Sequence, residues 1–168
     1  LAPSGKNRQP WRFVVVQNGE RKQMADRLRA GFENSVAGGI PTGSAENTFR
    51  IMGEAPATVF VFNPGDGAPW REQTVFERVG RIVDIQSVGA AIQNMLLACC
   101  ELGLGAVWLG EILNNKEQVN LILEAPESLE LMAALAIGHP DRREVTSSRK
   151  ELPEIAFEEH YGDQWRQR

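Results

Sequence analysis

The chain has 168 residues, 42% of them hydrophobic and 24% charged, with a formal net charge of −4. This length and composition suit one globular domain, predicted over residues 1–168. The mildly acidic balance disfavours nucleic acid and anionic lipid as main partners. The sequence shows no signal peptide and no long apolar run, so we expect no membrane association and a cytoplasmic location. It opens inside an organised motif without an initiator Met, and we expect an N-terminal segment to be missing.

The first half of the chain alternates strand and helix patterns. Trp11–Gln17 has the β-branched and aromatic density of a buried strand. Glu20–Phe32 places apolar residues at helical spacing. The loose segment Ser35–Ala45 is predicted as a mobile loop before a second helix, Glu46–Gly53. Ala57–Asn63 is predicted as a second buried strand.

The stretch Asp84–Gly110 organises the rest of the chain. From Val88 to Cys100 nearly every residue is apolar or small, which predicts a helix buried on most sides. Small residues such as Gly89 and Ala91 would let another helix or a second subunit approach closely. The two adjacent cysteines in this helix fit a buried structural pair better than a redox pair.

The glycines after this helix have two interpretations. Gly103 and Gly105 either cap the helix and turn the chain, or belong to a ligand-facing segment. A short apolar strand, Ala106–Leu109, follows them.

The remaining segments complete an α/β or α+β pattern. Helices are expected at Thr74–Ile82 and from about Asn114 to Leu123. Leu129–Gly138 is predicted as a fourth strand, although its Ala and Leu content also fits a helix. Lys150–Arg168 spaces three aromatic residues at helical intervals, which indicates a helix that packs on a neighbour.

Three polar clusters are candidate binding sites, each with a plainer alternative. Residues 3–7 either present backbone N–H groups to a ligand or form a capped turn. Asn47 and Arg50 lie one helical turn apart, so they either point at one polar ligand or lie on a solvated face. The basic residues 142, 143, 149 and 150 either bind a phosphate or form a solvent-exposed loop. No spacing of His and Cys indicates a metal site.

Four segments occur in an informative order: APSGKNRQPWRFVVV, NTFRIMGEAPATVFVF, DIQSVGAAIQNMLLACCELGLGAVWLG and ALAIGHP. Together with a distal Arg149, they resemble the FMN-dependent nitroreductase family from Leu1 to about Arg149. The resemblance implies an α+β sandwich whose central, mostly antiparallel sheet is flanked by helices. It also implies an intertwined homodimer with two FMN sites at its interface.

The resemblance assigns flavin-binding roles to four groups of residues. The N-terminal loop would reach a flavin bound mainly by the partner subunit. The Asn-x-x-basic pair would lie near the pyrimidine side of the ring, where reduced flavin carries negative charge. The end of the third strand would face the ring, and a C-terminal arginine would bind the phosphate. These predicted positions are Pro3, Ser4, Gly5, Asn7, Asn47, Arg50, Trp108, Leu109, Gly110 and Arg149.

The implied reaction is a ping-pong hydride transfer. NAD(P)H would reduce FMN, and a nitroaromatic, quinone or similar small electron-poor acceptor would then be reduced over the same ring face. The flavin carries the chemistry, so no catalytic side chain is assigned. Residues 35–43 and 64–71 are either a substrate lid or plain loops.

Two alternatives to this reaction stay open. One is a dimeric flavin-binding module with little or no catalysis, because the family's Arg-x-Ser-x-Arg phosphate segment has no counterpart here. The other is a specialised member of the family, such as an oxidase, a dehalogenase or a flavin-destroying enzyme.

Overall fold

A computed structural model of the chain describes residues 1–36, 45–65, 73–141 and 147–164, with the backbone alone at residues 21 and 32–36. Short 3-10 helices lie at Gly5–Asn7 and Glu111–Asn115. In chain order the strands and helices are β1 (Arg12–Gln17), α1 (Gly19–Val36), α2 (Ala45–Glu54), β2 (Ala57–Asn63), α3 (Val75–Glu101), β3 (Gly105–Leu109), α4 (Lys116–Ile122), β4 (Glu130–Gly138) and α5 (Leu152–Ile155).

The four strands form one antiparallel sheet in the order β1-β2-β4-β3. Its register places Val59 of β2 opposite Leu135 of β4, and Leu135 opposite Trp108 of β3. A bulge interrupts the β2–β4 ladder between Val61 and Phe62. The predicted α+β class and antiparallel sheet are therefore confirmed, and Leu129–Gly138 forms a strand rather than a helix.

The sheet carries a separate hydrophobic core on each face because successive side chains of a strand point to opposite sides. On one face Phe60 and Phe62 are fully buried against α1, α2 and α4. Burying one such side chain stabilises the fold by about 1.5–3 kcal/mol. On the other face Val59 and Val61 pack against Val88 of α3.

The prediction that Trp11–Gln17 is a buried strand is correct in type but wrong in burial. It forms the edge strand β1, and Phe13 and Val15 remain 42% and 52% exposed. Helix α3 packs mainly over β2, β4 and β3, so no described helix covers the β1 part of this sheet face. β-branched residues predict a strand, but they do not show what covers it.

Helix α3 is one continuous helix of 27 residues, so the separate segment predicted at Thr74–Ile82 joins the central helix. A capping box fixes its start: the Glu77 N–H donates to Thr74 Oγ1 at 3.2 Å, and the Thr74 N–H donates to Glu77 Oε2 at 2.8 Å. At its end Gly103 has φ +71°, and the Leu104 N–H donates to the Cys99 carbonyl at 2.8 Å. This Schellman arrangement confirms the C-cap interpretation of Gly103.

The prediction that this helix is buried on most sides is wrong for the chain by itself. Val88 and Ile92 are buried against the sheet. Cys99 is buried as well, but the adjacent Cys100 is exposed. By length and composition α3 could also cross a membrane, and only 28% of its most apolar stretch is buried. The large apolar side chains left exposed are Val75, Phe76, Val79, Ile82, Ile85 and Leu97.

Two loop and terminal predictions need correction. Helix α1 continues to Val36 and α2 begins at Ala45, so only residues 37–44 of the predicted loop lie outside the described ranges. The C-terminal segment is not one helix. Helix α5 has four residues, a bridge joins Phe157 to Gln164, and Gly162 takes a positive φ that turns the chain.

Candidate functional site

The N-terminal loop, residues 1–10, is docked on the middle of α3. The Gly5 N–H donates to Ser87 Oγ at 3.4 Å, and Ser87 in turn donates to the Val83 carbonyl at 2.7 Å. An ion pair of 2.7 Å joins Arg8 to Asp84. The approach is so close that a β-carbon at Gly5 would overlap Val83 Cγ1. The loop is therefore held on α3 by a hydrogen bond and an ion pair, and its close approach to Val83 requires glycine at position 5.

This loop also contains backbone conformations that side chains disfavour. Lys6, Asn7 and Gln9 have φ of 50°, 54° and 52°, in the left-handed region. The Gln9 N–H donates to Ser4 Oγ at 3.1 Å, which stabilises the turn. Strained backbone of this kind clusters at ligand sites and persists only where surrounding contacts hold it. Residues 3–7 thus form a strained turn that a side-chain hydrogen bond of Ser4 stabilises, and their role toward a ligand stays a prediction.

Asn47 and Arg50 share one exposed face of α2, as their spacing predicts. Arg50 Nη2 donates to Asn47 Oδ1 at 2.8 Å, and Arg50 Nη1 donates to Glu54 Oε2 at 2.6 Å. The opposite face of α2 buries Phe49 and Met52 in the core. Core packing on one side therefore fixes which residues α2 presents outward.

A cleft of about 910 Å³ opens between the C-terminal ends of α2 and α3 and the paired strands β3 and β4. Its apolar walls include Ile51, Leu104 and Val107. Its titratable lining residues are Arg50, Glu54, Cys100, His139 and Asp141. A cleft with apolar walls and a few charged groups suits a small organic ligand with a polar edge.

Strand β3 lies at the edge of the sheet and forms one wall of the cleft. In the part of the chain that the structure describes it pairs only with β4, so its outer edge offers backbone N–H and C=O groups. Leu109 points into the core and is 4% exposed, whereas Trp108 lies on the α3 side and is 44% exposed. Gly110 follows the strand and is exposed.

The C-terminal arginine lies in an exposed segment. Arg149 Nη1 donates to Ser147 Oγ at 3.0 Å and to the Ser148 carbonyl at 3.1 Å. The neighbouring Arg142 and Arg143, and most of both predicted lid segments, lie outside the described residues. The predicted basic cluster is thus described only at Arg149 and Lys150.

The prediction that the two cysteines form a buried pair is correct for Cys99 and wrong for Cys100, which is exposed. Burial raises the pKa of the Cys99 thiol, and the negative charge of a neighbouring Cys100 thiolate would raise it further. Cys100 is exposed and lines the cleft. Cys99 therefore stays protonated at neutral pH as a core residue.

The structure brings only part of the predicted site together. Within the described residues, Arg50 is the one of the ten predicted positions that lines the cleft. Asn47 does not line the cleft but accepts a hydrogen bond from Arg50. The sequence reasoning did not identify Glu54, Asp84 or Ser87. Glu54 could have been identified from its spacing, because it follows Arg50 by four residues, and residues i and i+4 are neighbours on a helix.

Comparison with known proteins agrees with this architecture. The model of the nitroreductase family matches residues 1–139. The chain is 29% identical over 159 residues to an iodotyrosine deiodinase from Thermotoga neapolitana, covering 90% of this chain and 77% of that protein. It is 27% identical over 144 residues to a protein from Archaeoglobus fulgidus named as an NADH dehydrogenase/NAD(P)H nitroreductase, covering 83% and 67%.

A solved structure supports the same relationship. A protein from Desulfovibrio desulfuricans, described as a nitroreductase in complex with FMN, matches with a TM-score of 0.69 and 34% sequence identity. The match covers 95% of this chain and 78% of that one. The chain therefore belongs to the nitroreductase family.

Proposed function

We propose that this chain is an FMN-dependent oxidoreductase that uses NAD(P)H to reduce electron-poor acceptors such as nitroaromatics and quinones. The observation that carries the proposal is the cleft, which Arg50 of α2 lines together with edge strand β3. A cation suits the negative charge that reduced flavin carries on its pyrimidine side, and a strand edge without a partner among the described residues can hydrogen-bond to the ring. Membership of the nitroreductase family and the relative named as an NAD(P)H nitroreductase support the cofactor and the reductant.

The residues present fit FMN in four respects. The cleft volume of about 910 Å³ is ample for a ring system. Its apolar walls suit the faces of the ring, and the edge of β3, which pairs with no further strand in the described ranges, suits its hydrogen-bonding rim. Asn47 and Arg50 add an amide and a guanidinium on one helix face. When bound, FMN would supply the two-electron redox chemistry.

The protein's own residues would then bind and orient. Arg50 would favour negative charge on the pyrimidine side of the ring through its fixed cation. A backbone N–H of the segment Trp108–Gly110, which follows the β3 residues that line the cleft, would donate to the edge of the ring. Arg149 would bind the phosphate with a guanidinium fork. The loop at residues 3–7 would reach the flavin held mainly by a second subunit.

The proposal includes a homodimer in the cytoplasm. Its support is the apolar face of α3, where Phe76 is 80% exposed and Ile82 51% exposed. Exposed apolar surfaces of this extent mark interaction sites. Within the described ranges, a β-carbon added at Gly89 would meet no atom within 4 Å, so this part of the helix leaves room for close approach.

The test is spectroscopic. The purified protein should bind FMN and turn yellow, NAD(P)H should bleach it, and a nitroaromatic or quinone should restore the colour. Arg50→Gln should weaken FMN binding, whereas Arg27→Gln, which removes an exposed cation from α1, should leave it unchanged. A protein that stays colourless with added FMN would refute the proposal. FMN binding without NAD(P)H turnover would instead indicate a binding module.

Reductive dehalogenation is a second candidate, favoured by the similarity to an iodotyrosine deiodinase. In that reaction two electrons and a proton replace a carbon–iodine bond by a carbon–hydrogen bond and release iodide. Anaerobic assays of pre-reduced holoenzyme, freed of excess reductant, with iodotyrosine and with a nitroaromatic separate the two candidates. Iodide release much faster than nitro reduction would favour the deiodinase.

A further inference from the structure

We propose that Glu54 is the counter-ion that moderates the positive charge of Arg50 in the cleft and thereby lowers the reduction potential of bound FMN. This inference rests on the proposed function, since it assigns a role to a residue beside the proposed flavin site. Glu54 lies inside the second of the four family-like segments but is not among the ten predicted flavin-binding positions.

The contacts place Glu54 and Arg50 in one unit. Arg50 is held between two acceptors, Asn47 Oδ1 at 2.8 Å and Glu54 Oε2 at 2.6 Å. Both members of the ion pair line the cleft. The carboxylate therefore lies close enough to offset the charge that Arg50 presents there.

Helix stability does not explain this carboxylate. The Arg50 and Glu54 side chains are 54% and 64% exposed, and exposed ion pairs contribute little. An acidic residue N-terminal to a basic one is the more favourable order on a helix, and here the order is reversed. Glu54 is also the last residue of α2, where a negative charge opposes the helix dipole. The helix itself therefore gains little from this carboxylate, which contacts Arg50 at the wall of the cleft.

The electrostatic consequence has a definite sign. A net positive site favours the reduced cofactor, which carries more negative charge, and so raises its potential. Glu54 offsets part of that field and lowers the potential. The other charged or titratable groups lining the cleft are Cys100, His139 and Asp141, and Glu54 is the one that contacts Arg50.

The decisive variant is Glu54→Gln, which keeps the size and an acceptor oxygen but removes the charge. Coulomb's law for unit charges about 4 Å apart in water sets an upper bound of about a fivefold change in the ratio of affinities for reduced and oxidised FMN. This bound corresponds to a potential up to about 20 mV more positive for a two-electron couple. Because the pair is exposed, salt should screen this shift. A purely structural disturbance would not depend on salt.

The matched control is Asp26→Asn. Asp26 is 59% exposed and pairs with Arg29 at 3.4 Å on α1, so the variant removes the same charge from an equivalent surface pair that does not line the cleft. Its FMN potential should equal that of the wild type.

The experiment measures the midpoint potential of bound FMN in the wild type and both variants, at low and high salt. A positive shift in Glu54→Gln alone, reduced by salt, supports the inference. Equal potentials in Glu54→Gln and wild type, or a shift that salt leaves unchanged, overturn it while the FMN proposal stands. Absence of FMN binding by the wild type overturns both.

Discussion

The contact between Gly5 and α3 allows a quantitative test of how the N-terminal loop is held. In Gly5→Ala the new β-carbon would overlap Val83 Cγ1. A helical valine has one strongly preferred χ1 rotamer, so this methyl group does not swing away freely. Overpacking of this kind costs about 1–3 kcal/mol. Val83→Ala alone removes two methyl groups from a half-buried position, which costs about 1 kcal/mol.

The double variant separates the overlap from other effects. With alanine at both positions, the new β-carbon would lie 3.8 Å from the β-carbon of residue 83, which is an ordinary contact. Gly5→Ala should therefore cost little in the Val83→Ala background, which gives a coupling free energy of about 1–3 kcal/mol. Urea unfolding at one fixed protein concentration measures all four proteins, and FMN affinity should follow the same order. Additive losses would refute the overlap and the docking of the loop on α3.

Three further predictions concern α3, the cysteines and the sheet. Phe76→Glu, which places a charge on the exposed apolar face, should convert a dimer to a monomer in sedimentation velocity. Cys100 should react with iodoacetamide at neutral pH, and bound FMN should protect it. Cys99 should react slowly until the pH rises above the usual thiol range, because the pKa of the Cys99 thiol is raised. Gly138→Ala should lower the free energy of unfolding by about 1–3 kcal/mol, because its β-carbon would lie 2.5 Å from Pro56 Cδ.

Phe76→Glu and Gly138→Ala each have a matched control. Leu121→Glu changes an exposed leucine on α4 and should leave the oligomeric state unchanged. Gly53→Ala adds a β-carbon in ordinary contact inside α2 and should raise stability by up to about 1 kcal/mol. Dissociation by Leu121→Glu, or equal destabilisation by both glycine variants, would contradict the respective argument.

Local patterns in the sequence predicted the elements well because their causes are local. The Asn47–Arg50 spacing correctly placed both side chains on one helix face, where they contact each other. The surface that covers an apolar face, in contrast, is not determined by the local sequence. The residues of β1 and α3 predicted burial, but hydrophobicity does not distinguish the protein's own sheet from another surface as the cover.

The sequence pattern did not predict the cleft, for a related reason. Its lining comes from α2, α3, β3 and the end of β4, which are distant along the chain. A period-2 pattern specifies which face of a strand is buried but not which strand pairs with it. The meeting of Arg50 with Val107 therefore depends on a strand order that the sequence pattern alone does not contain.

The strand order 1-2-4-3 also has a consequence for folding kinetics. The two central strands, β2 and β4, are separated by the whole of residues 64–129, so their pairing must close a long loop. Helix α3 can form earlier from local contacts, but neither core is complete until β4 joins. We expect a slow final step in refolding, and a nascent chain on the ribosome should complete the sheet only after Gly138 has emerged from the exit tunnel.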